Sequence, residues 1–458
     1  MSMLLNKAYL KTHRLYLILS ILTVIFYFSF AYNLVRTDYV KLVTLYSALF
    51  FLFYKLVQIT KWDFKFLAGI AILFRLVFLV AIPNLSQDFY RFIWDGRMIL
   101  EGFNPYLYTV TSFIESGNFP VNRAQELYLG MGNLNAGHFT NYPPVNQLCF
   151  TIAALFANKS ILGSAMMMRL LIILADIGTL YFGKKLLEKL NIPIRNIFWY
   201  ILNPFIIIEL TGNLHFEGVM LFFLIWSLYL LYSGKWKWAA IVLAISISVK
   251  LIPLVFLPLF FQWFVKNNEK PFKGFLNLVG FYSIVFITTG LLFLPFFSLE
   301  FINNYATTVG LWFQNFEFNA SIYYMVREIG YLFRGYNEIA TIGKILPVIV
   351  FIVIIAMTFV RDNKMFKNLI ATMLLAFTFY LFMTTTVHPW YVATLLILSV
   401  FTNYKFPLVW SFIIIISYLA YANADNSENL WVIGLEYIVV YSVFIWEVFF
   451  KKPQLGLT

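Results

Sequence analysis

The chain has 458 residues, of which 61% are hydrophobic, 20% aromatic and only 12% charged, and its mean hydropathy is +0.80. A soluble domain is about half apolar and about a quarter charged, so this composition excludes a soluble fold and predicts a polytopic membrane protein. The net charge of +12 comes from Lys and Arg clusters between apolar runs. Such clusters set membrane topology, so they do not indicate nucleic-acid binding.

The apolar runs are continuous over about 15–23 residues, which indicates transmembrane helices rather than a barrel. The single cysteine, Cys149, lies inside an apolar stretch, so an intrachain disulfide is excluded and thiol chemistry is disfavoured. The N-terminus carries positive charge but no small-residue cleavage site, which predicts an uncleaved start in the cytoplasm.

Basic loops are expected to face the cytoplasm, and this rule assigns a direction to each apolar run. The runs at about 15–34, 42–59 and 66–83 then exit, return and exit, so the residues that follow the third run lie outside. The runs at about 142–158 and 161–183 cannot both cross under this rule. One of them is expected to be short, re-entrant or interfacial.

A similar difficulty arises at about 237–266, where two short helices are expected to meet near Lys250. Together the runs predict an all-α polytopic membrane protein, a bundle of about 13–15 transmembrane helices. The long external loops, at about 86–142 and 295–342, are rich in aromatic residues. We expect them to form amphipathic helices at the membrane interface.

The stretch "SQDFYRFIWDGR" places charged residues just outside the third run. If a helix begins near Asp88, then Asp88, Arg91 and Asp95 share one face and Arg97 lies opposite. A carboxylate beside an arginine stays ionised, so Asp88 is a candidate general base or metal ligand. The alternative is a solvated interfacial helix with a local ion pair.

Two further candidates lie in "TGNLHFEG" and "SVKLIPLVFLP". His215 and Glu217 could bind a metal or form an acid–base pair, although a loop cap or a buried histidine is the commoner explanation. Lys250 stands alone in apolar sequence, where it could neutralise a phosphate. The alternative for Lys250 is a side chain that snorkels from a helix end.

Arg327 lies on an external amphipathic segment and suits phosphate binding, whereas His388 precedes Pro389 and Trp390 in "HPWY". Aromatic residues near a membrane surface serve either as an interfacial belt or as a platform for a sugar. All these clusters fall on the external side under one topology. This placement favours a site for an anionic lipid-linked sugar over an ion pathway.

The stretch "SQDFYRFIWDGRMILEGFNPYLY" resembles a signature of bacterial GT-C glycosyltransferases that use polyprenol-phosphate-mannose. The segments "NYPPVNQ", "LNPFIIIELTGNLHFEG", "SVKLIPLVFLP", "FNASIYYMVR" and "HPWY" are similar, in order, to later landmarks of that group. The resemblance implies three parts: residues 1–65 with a cytoplasmic N-terminus and two extra helices, a GT-C-like catalytic domain at 66–450, and a cytoplasmic tail at 451–458.

The resemblance also implies an activity, which is the inverting transfer of a hexose, mannose first, from polyprenyl phosphate to a hydroxyl acceptor. The active site would face the extracytoplasmic side of the bacterial cytoplasmic membrane. Asp88 would act as general base, and Arg91, Lys250 and Arg327 would bind the donor phosphate. The sugar and acceptor pocket would comprise Tyr90, Trp94, Asp95, Asn141, Tyr142, His215, Glu217, His388, Trp390 and Tyr391.

The implied partners are the polyprenyl-phosphate sugar, the lipid bilayer and an unidentified glycan or lipid acceptor, with no nucleic acid. The resemblance implies no definite cofactor but allows a divalent metal, which would bind Asp88, His215 and Glu217. Many relatives have two consecutive acids where this chain has Gln87 before Asp88, which argues against a metal that needs both. The rival hypothesis is a transporter or flippase of a lipid-linked saccharide, disfavoured by one-sided charges and the lack of repeats.

Overall fold

The computed structural model describes residues 7–60, 63–267, 269–423 and 425–451. Within these ranges the chain is helical and contains no strand, apart from one isolated bridge between Phe318 and Thr386, so the all-α prediction is confirmed. The α-helices are α1 Lys7–Asn33, α2 Tyr39–Ile59, α3 Phe64–Leu76, α4 Asp88–Leu100, α5 Val110–Glu115, α6 Ala124–Ala136, α7 Pro144–Ala157, α8 Ile161–Lys189, α9 Phe198–Ile201, α10 Pro204–Ile206, α11 Glu217–Tyr232, α12 Trp236–Ile247, α13 Phe260–Val265, α14 Pro271–Phe293, α15 Leu299–Gln314, α16 Ile322–Arg334, α17 Ile339–Val360, α18 Phe366–Met383, α19 Val392–Ser399, α20 Phe406–Ile413 and α21 Leu430–Ile445.

Short 3₁₀ and π segments extend or link several of these helices, and polar residues begin many of them. Asp63 and Ser160 accept hydrogen bonds from the backbone N–H groups two or three residues inside α3 and α8, while Pro144 occupies the first position of α7. The 3₁₀ and π segments are Ile194–Ile197, Ile207–Gly212, Ile252–Leu259, Leu294–Phe296, Pro389–Tyr391, Ile414–Ala422 and Trp446–Phe450.

Seven helices in the described residues are long and apolar enough to cross a membrane, or up to eight if the strongly bent pair Pro204–Gly212 and Glu217–Tyr232 forms one span. Five shorter apolar helices accompany them. The predicted 13–15 spans are therefore reached only if short helices also cross. Prolines break the apolar runs: Pro253 and Pro258, for example, stand in the 3₁₀ segment Ile252–Leu259.

The direction of α8 resolves the difficulty at 142–183. Arg75 of α3 pairs with Asp176 of α8 at 2.7 Å. Arg169 precedes Asp176 in α8, yet it donates to the carbonyls of Leu79 and Ala81, which follow Arg75 in the chain. Therefore α8 runs antiparallel to α3, and its basic C-terminal end lies where α3 begins. The 14 residues of α7 span only about 21 Å, too short for a full crossing.

Buried arginines tie these segments together. The guanidinium of Arg169 donates to four backbone carbonyls, two after α3 and two at Thr211 and Gly212 in the π segment. Arg75 likewise bonds to Asp176 and to the carbonyls of Ala71 and Ile201. A buried charge in a bilayer is costly unless its donors are hydrogen-bonded, so these contacts fix the relative positions of α3, α8 and the π segment.

The two external loops differ in their surroundings. In the later loop, Leu332 and Phe333 on α16 are 85% and 82% exposed, as expected of an apolar face at the membrane interface. In the earlier loop, α4 is buried along most of its length between α6 and α7. Helix α4 is thus a packed core element rather than a helix lying on the surface.

Candidate active site

The approach of α4 to α7 sets the position of Asp88. A Cβ atom on Gly96 would lie 2.3 Å from the carbonyl oxygen of Phe150, so only glycine allows this contact. Phe92 of α4 stacks on Phe150 at 4.6 Å with an interplanar angle of 6°. This close packing accounts for the glycine in the "WDGR" motif and directs the N-terminal end of α4 towards the large cavity described next.

Asp88 is the first residue of α4 and lines a cavity of about 880 Å³. One of its carboxylate oxygens accepts a hydrogen bond from Asn135 Nδ2 at 3.1 Å. Burial raises the pKa of the Asp88 carboxyl, and the Asn135 hydrogen bond and the cations Lys250 and Arg36 partly offset this rise. The group is therefore a stronger base than an exposed aspartate while it remains close to positive charge.

Most of the predicted site residues meet at this cavity, although they come from distant parts of the chain. The cavity opens between the N-terminal end of α4, the turn after α12, the segment after α15 and the loop before α19. The predicted residues in its lining are Asp88, Asn141, Tyr142, Lys250, Arg327, His388, Trp390 and Tyr391.

Lys250 lies in the turn between α12 and the segment Ile252–Leu259, where two short helices meet as predicted. Its Nζ atom is 3.2 Å from Glu217 Oε1 and 5.0 Å from the centre of the Tyr142 ring. Glu217 is fully buried, whereas the Lys250 side chain is 20% exposed. The Lys250 ammonium thus faces the cavity, and its ion pair with the buried Glu217 carboxylate fixes its position.

An aromatic stack forms the wall next to Lys250. The Trp390 indole lies between two imidazoles, 3.6 Å from the ring centre of His215 and 4.5 Å from that of His388. Burial lowers the pKa of His388 to about 3, and Lys250 contributes by repulsion, so this imidazole is neutral at physiological pH. His215 is buried behind Trp390 and does not line the cavity. The aromatic stack gives the cavity a flat wall, which suits a sugar ring.

Arg327 reaches the cavity from α16, but its charge is already compensated. Its Nη1 atom is 2.5 Å from Glu317 Oε1 and its Nη2 atom is 2.9 Å from Glu328 Oε1. The guanidinium also lies over the ring of Tyr324 at 4.5 Å.

Six predicted site residues lie outside the cavity lining: His215 and Glu217, described above, and four residues of α4. Arg91 is buried, pairs with Asp95 at 2.7 Å and donates to the carbonyls of Asn135 and His138, so its guanidinium holds α4 against α6. Trp94 is buried and its indole N–H points to the sulfur of Met98. The last two are Asp95, also bonded to Gln147, and Tyr90, which packs on Gly130 of α6.

The cavity also contains residues that the sequence did not single out. One of them is Arg36, from the loop between α1 and α2. The sequence analysis missed it because every cluster of candidate residues lies after residue 85. The only signal for Arg36 was a basic residue in a loop assigned to the external side, against the charge rule. The remaining overlooked lining residues with polar groups include Asn135, Glu317, Tyr324, Tyr418, Tyr421 and Glu428.

The residues present do not form a metal-ligand set. Among the described residues, no three His, Cys, Asp or Glu side chains lie close enough together to hold a metal ion. Glu217 is paired with Lys250, and Gln87, in place of a second acid, donates its amide to the Met131 carbonyl. The option of a metal at Asp88, His215 and Glu217 therefore has no geometric support, and no catalytic step is assigned to one.

Comparison with known proteins identifies one matching protein family. A family model described as alpha-(1->6)-mannopyranosyltransferase, N-terminal domain, matches residues 16–266, more than half of the chain. The matched region contains Arg36, Asp88 and Lys250 and includes both α1 and α2. No curated protein matches the chain significantly.

Proposed function

We propose, from the premise that the chain belongs to the alpha-(1->6)-mannopyranosyltransferase family, that its cavity transfers mannose from a polyprenyl phosphate to a hydroxyl acceptor. Mannosyl transfer follows from the family. The polyprenyl-phosphate donor, the extracytoplasmic side and the role of Asp88 are the proposal. The observation that supports it is that Asp88, Lys250 and the Trp390 ring line one cavity. This cavity lies at the end of the helix bundle opposite to the basic C-terminal end of α8.

Asp88 is proposed to take the proton from the acceptor hydroxyl as that oxygen attacks the anomeric carbon. Its buried setting raises its basicity, and the Asn135 amide fixes one carboxylate oxygen so that the other can face the acceptor. The C–O bond to phosphate breaks as the new C–O bond forms, so the anomeric configuration inverts. An α-linked product then requires a β-linked phosphate donor.

The leaving phosphate gains negative charge in this step, and Lys250 is placed to stabilise it. The cavity lining also includes apolar residues, among them Val309 of α15, Phe377 of α18 and Val255 of the segment Ile252–Leu259. These apolar side chains suit the first isoprene units of a lipid tail. A polar end beside an apolar groove is what a lipid phosphate requires.

The test is to incubate the purified protein in nanodiscs with a panel of polyprenyl-phosphate sugars and candidate acceptors, and to measure release of polyprenyl phosphate. Wild-type protein is expected to release it only from the mannosyl donor. The variant Asp88→Asn keeps the shape of the side chain and removes the base, so release should fall about 10²- to 10⁴-fold. Glu126→Gln, an equivalent change in an exposed ion pair of the same loop, should have no effect.

The same assay separates transfer from transport. A flippase would move the intact lipid-linked saccharide across proteoliposomes without releasing polyprenyl phosphate. That outcome, or full release by Asp88→Asn, would contradict the proposed chemistry.

A further inference from the structure

The three cations that line the cavity, Arg36, Lys250 and Arg327, differ in how their charge is compensated. Lys250 pairs with Glu217, and Arg327 pairs with both Glu317 and Glu328. In the part of the chain that the structure describes, no carboxylate lies within ion-pair distance of Arg36. A cation that faces a cavity without such a partner attracts an anionic ligand more strongly than one already paired.

Arg36 is also held in place before any ligand arrives. Its Nη1 atom donates to the Leu85 carbonyl at 3.2 Å, and its guanidinium carbon lies 4.2 Å above the centre of the Tyr421 ring. An arginine has five N–H donors in a planar fork, so one bond to Leu85 leaves donors that can form a paired contact with phosphate oxygens. The stacking on Tyr421 orients the plane of that fork.

The loop that carries Arg36 is fixed to the segment that carries the proposed base. The Asn84 amide donates to the carbonyls of Phe30 and Leu34 at 2.7 and 3.2 Å, which links the end of α1 to the residues just before Asp88. Tyr39, at the start of α2, donates to the carbonyl of Ile416 at 3.3 Å. The loop between the first two helices thus contributes to the cavity, and hydrogen bonds tie both helices to segments that form it.

We propose that Arg36 is the principal phosphate-binding residue of the polyprenyl-phosphate site and that the α1–α2 hairpin exists in part to supply it. This inference rests on the proposed function for the identity of the anion. It differs from the sequence-based expectation, which assigned the phosphate to Arg91, Lys250 and Arg327. Lys250 then assists as a second cation of the cavity, while Arg327 serves mainly to hold α16 to the segment containing Glu317.

The test is a binding measurement that needs no turnover. Geranylgeranyl phosphate and geranylgeraniol are titrated into protein in phosphatidylcholine nanodiscs, and intrinsic tryptophan fluorescence reports the affinity of each. The ratio of the two affinities isolates the contribution of the phosphate from that of the tail. Wild-type protein should prefer the phosphate, and Arg36→Gln should reduce this preference about 10- to 100-fold.

Two comparisons make the result specific. Arg36→Lys retains the charge but loses the fork, so it should recover only part of the preference. Lys41→Gln removes a cation from the same hairpin that does not line the cavity, and it should keep the wild-type ratio. If Arg36 only anchored its loop, Arg36→Gln would lower the melting temperature and leave the ratio unchanged, which would overturn the inference.

The remaining outcomes are also decisive. A lost preference in Arg327→Gln together with a normal one in Arg36→Gln would assign the phosphate to Arg327 and reject the proposal. Nanodiscs containing phosphatidylglycerol test the membrane as the source of the anion, and full competition by that lipid would reject the donor assignment. A wild-type protein without any preference for the phosphate would refute the polyprenyl-phosphate donor itself, an outcome distinct from a failure at Arg36 alone.

Discussion

The Nζ atom of Lys250 lies 3.2 Å from Oε1 of Glu217, and the two residues have opposite surroundings. The carboxylate is fully buried at the start of α11, whereas the ammonium extends into the cavity. The pair therefore combines a structural role, since it neutralises a buried charge, with a functional role, since it positions a cation beside the proposed reaction. Mutations at the two residues can separate these roles.

Loss of Lys250 alone should damage both folding and transfer. Lys250→Gln leaves Glu217 buried without its partner, which commonly costs about 3–5 kcal/mol of stability. The double variant Lys250→Gln with Glu217→Gln removes both charges, so its melting temperature should return towards that of wild type while transfer stays low. Thermal unfolding and polyprenyl phosphate release measure the two effects, and restored transfer in the double variant would refute a role for Lys250 with the phosphate.

The pH dependence of transfer should report on Asp88. A general base must be ionised, so kcat/KM should decrease as the pH falls through the pKa of Asp88, which burial raises above that of an exposed aspartate. Arg36 partly offsets that rise, so Arg36→Gln should move the acidic limb of the profile to higher pH. Lys41→Gln is the matched control, and an acidic limb that does not respond to Arg36→Gln would argue against Asp88 as the titrating group.

Replacement of Trp390 should test the aromatic wall. Trp390→Leu removes two stacked contacts, with His215 and His388, each worth about 0.5–1.5 kcal/mol, so the protein should unfold at a lower temperature. Trp390→Phe keeps a ring in the same place and should lose less. If the wall also positions the sugar, KM for the donor should rise in the leucine variant more than in the phenylalanine variant.

Two glycine substitutions should have opposite effects. At Gly96, an added methyl group would clash with the Phe150 carbonyl, so Gly96→Ala should separate α4 from α7 and reduce both stability and transfer. At Gly69 in α3, nothing lies within 4 Å of the added Cβ, so Gly69→Ala should be neutral or stabilise the helix by up to about 1 kcal/mol. Equal melting temperatures for the two variants would contradict the close packing of α4.

Several expectations from the sequence hold because they depend on local composition. The apolar runs predicted an all-helical membrane protein, the basic flanks predicted two short helices meeting at Lys250, and the charge rule predicted that one of the two runs at 142–183 falls short of a crossing. Motif spacing also selected Asp88, Lys250 and Trp390, which do share a cavity. The catalytic roles of these residues stay predictions.

Other features depend on contacts between distant segments. Helical spacing placed Arg91 and Asp95 on the face of Asp88, yet both are buried because the carbonyls at the end of α6 take up the guanidinium. Spacing along one helix describes which residues are neighbours, but it does not tell which neighbour meets another helix and which meets a cavity. The ion pairs of Arg327 with Glu317 and Glu328 likewise appear only once α16 is folded back on the segment before it.

The sequence by itself thus determined the membrane setting, the helical class and the family, because hydrophobic runs, charge clusters and motif letters act over short stretches of chain. Only the tertiary structure decided which charges are compensated and which face the cavity. Arg36, Leu85 and Tyr421 lie far apart in the chain and meet at one point of the site. No local pattern encodes such a meeting, since the electrostatic state of a side chain depends on partners that only the packed bundle brings within reach.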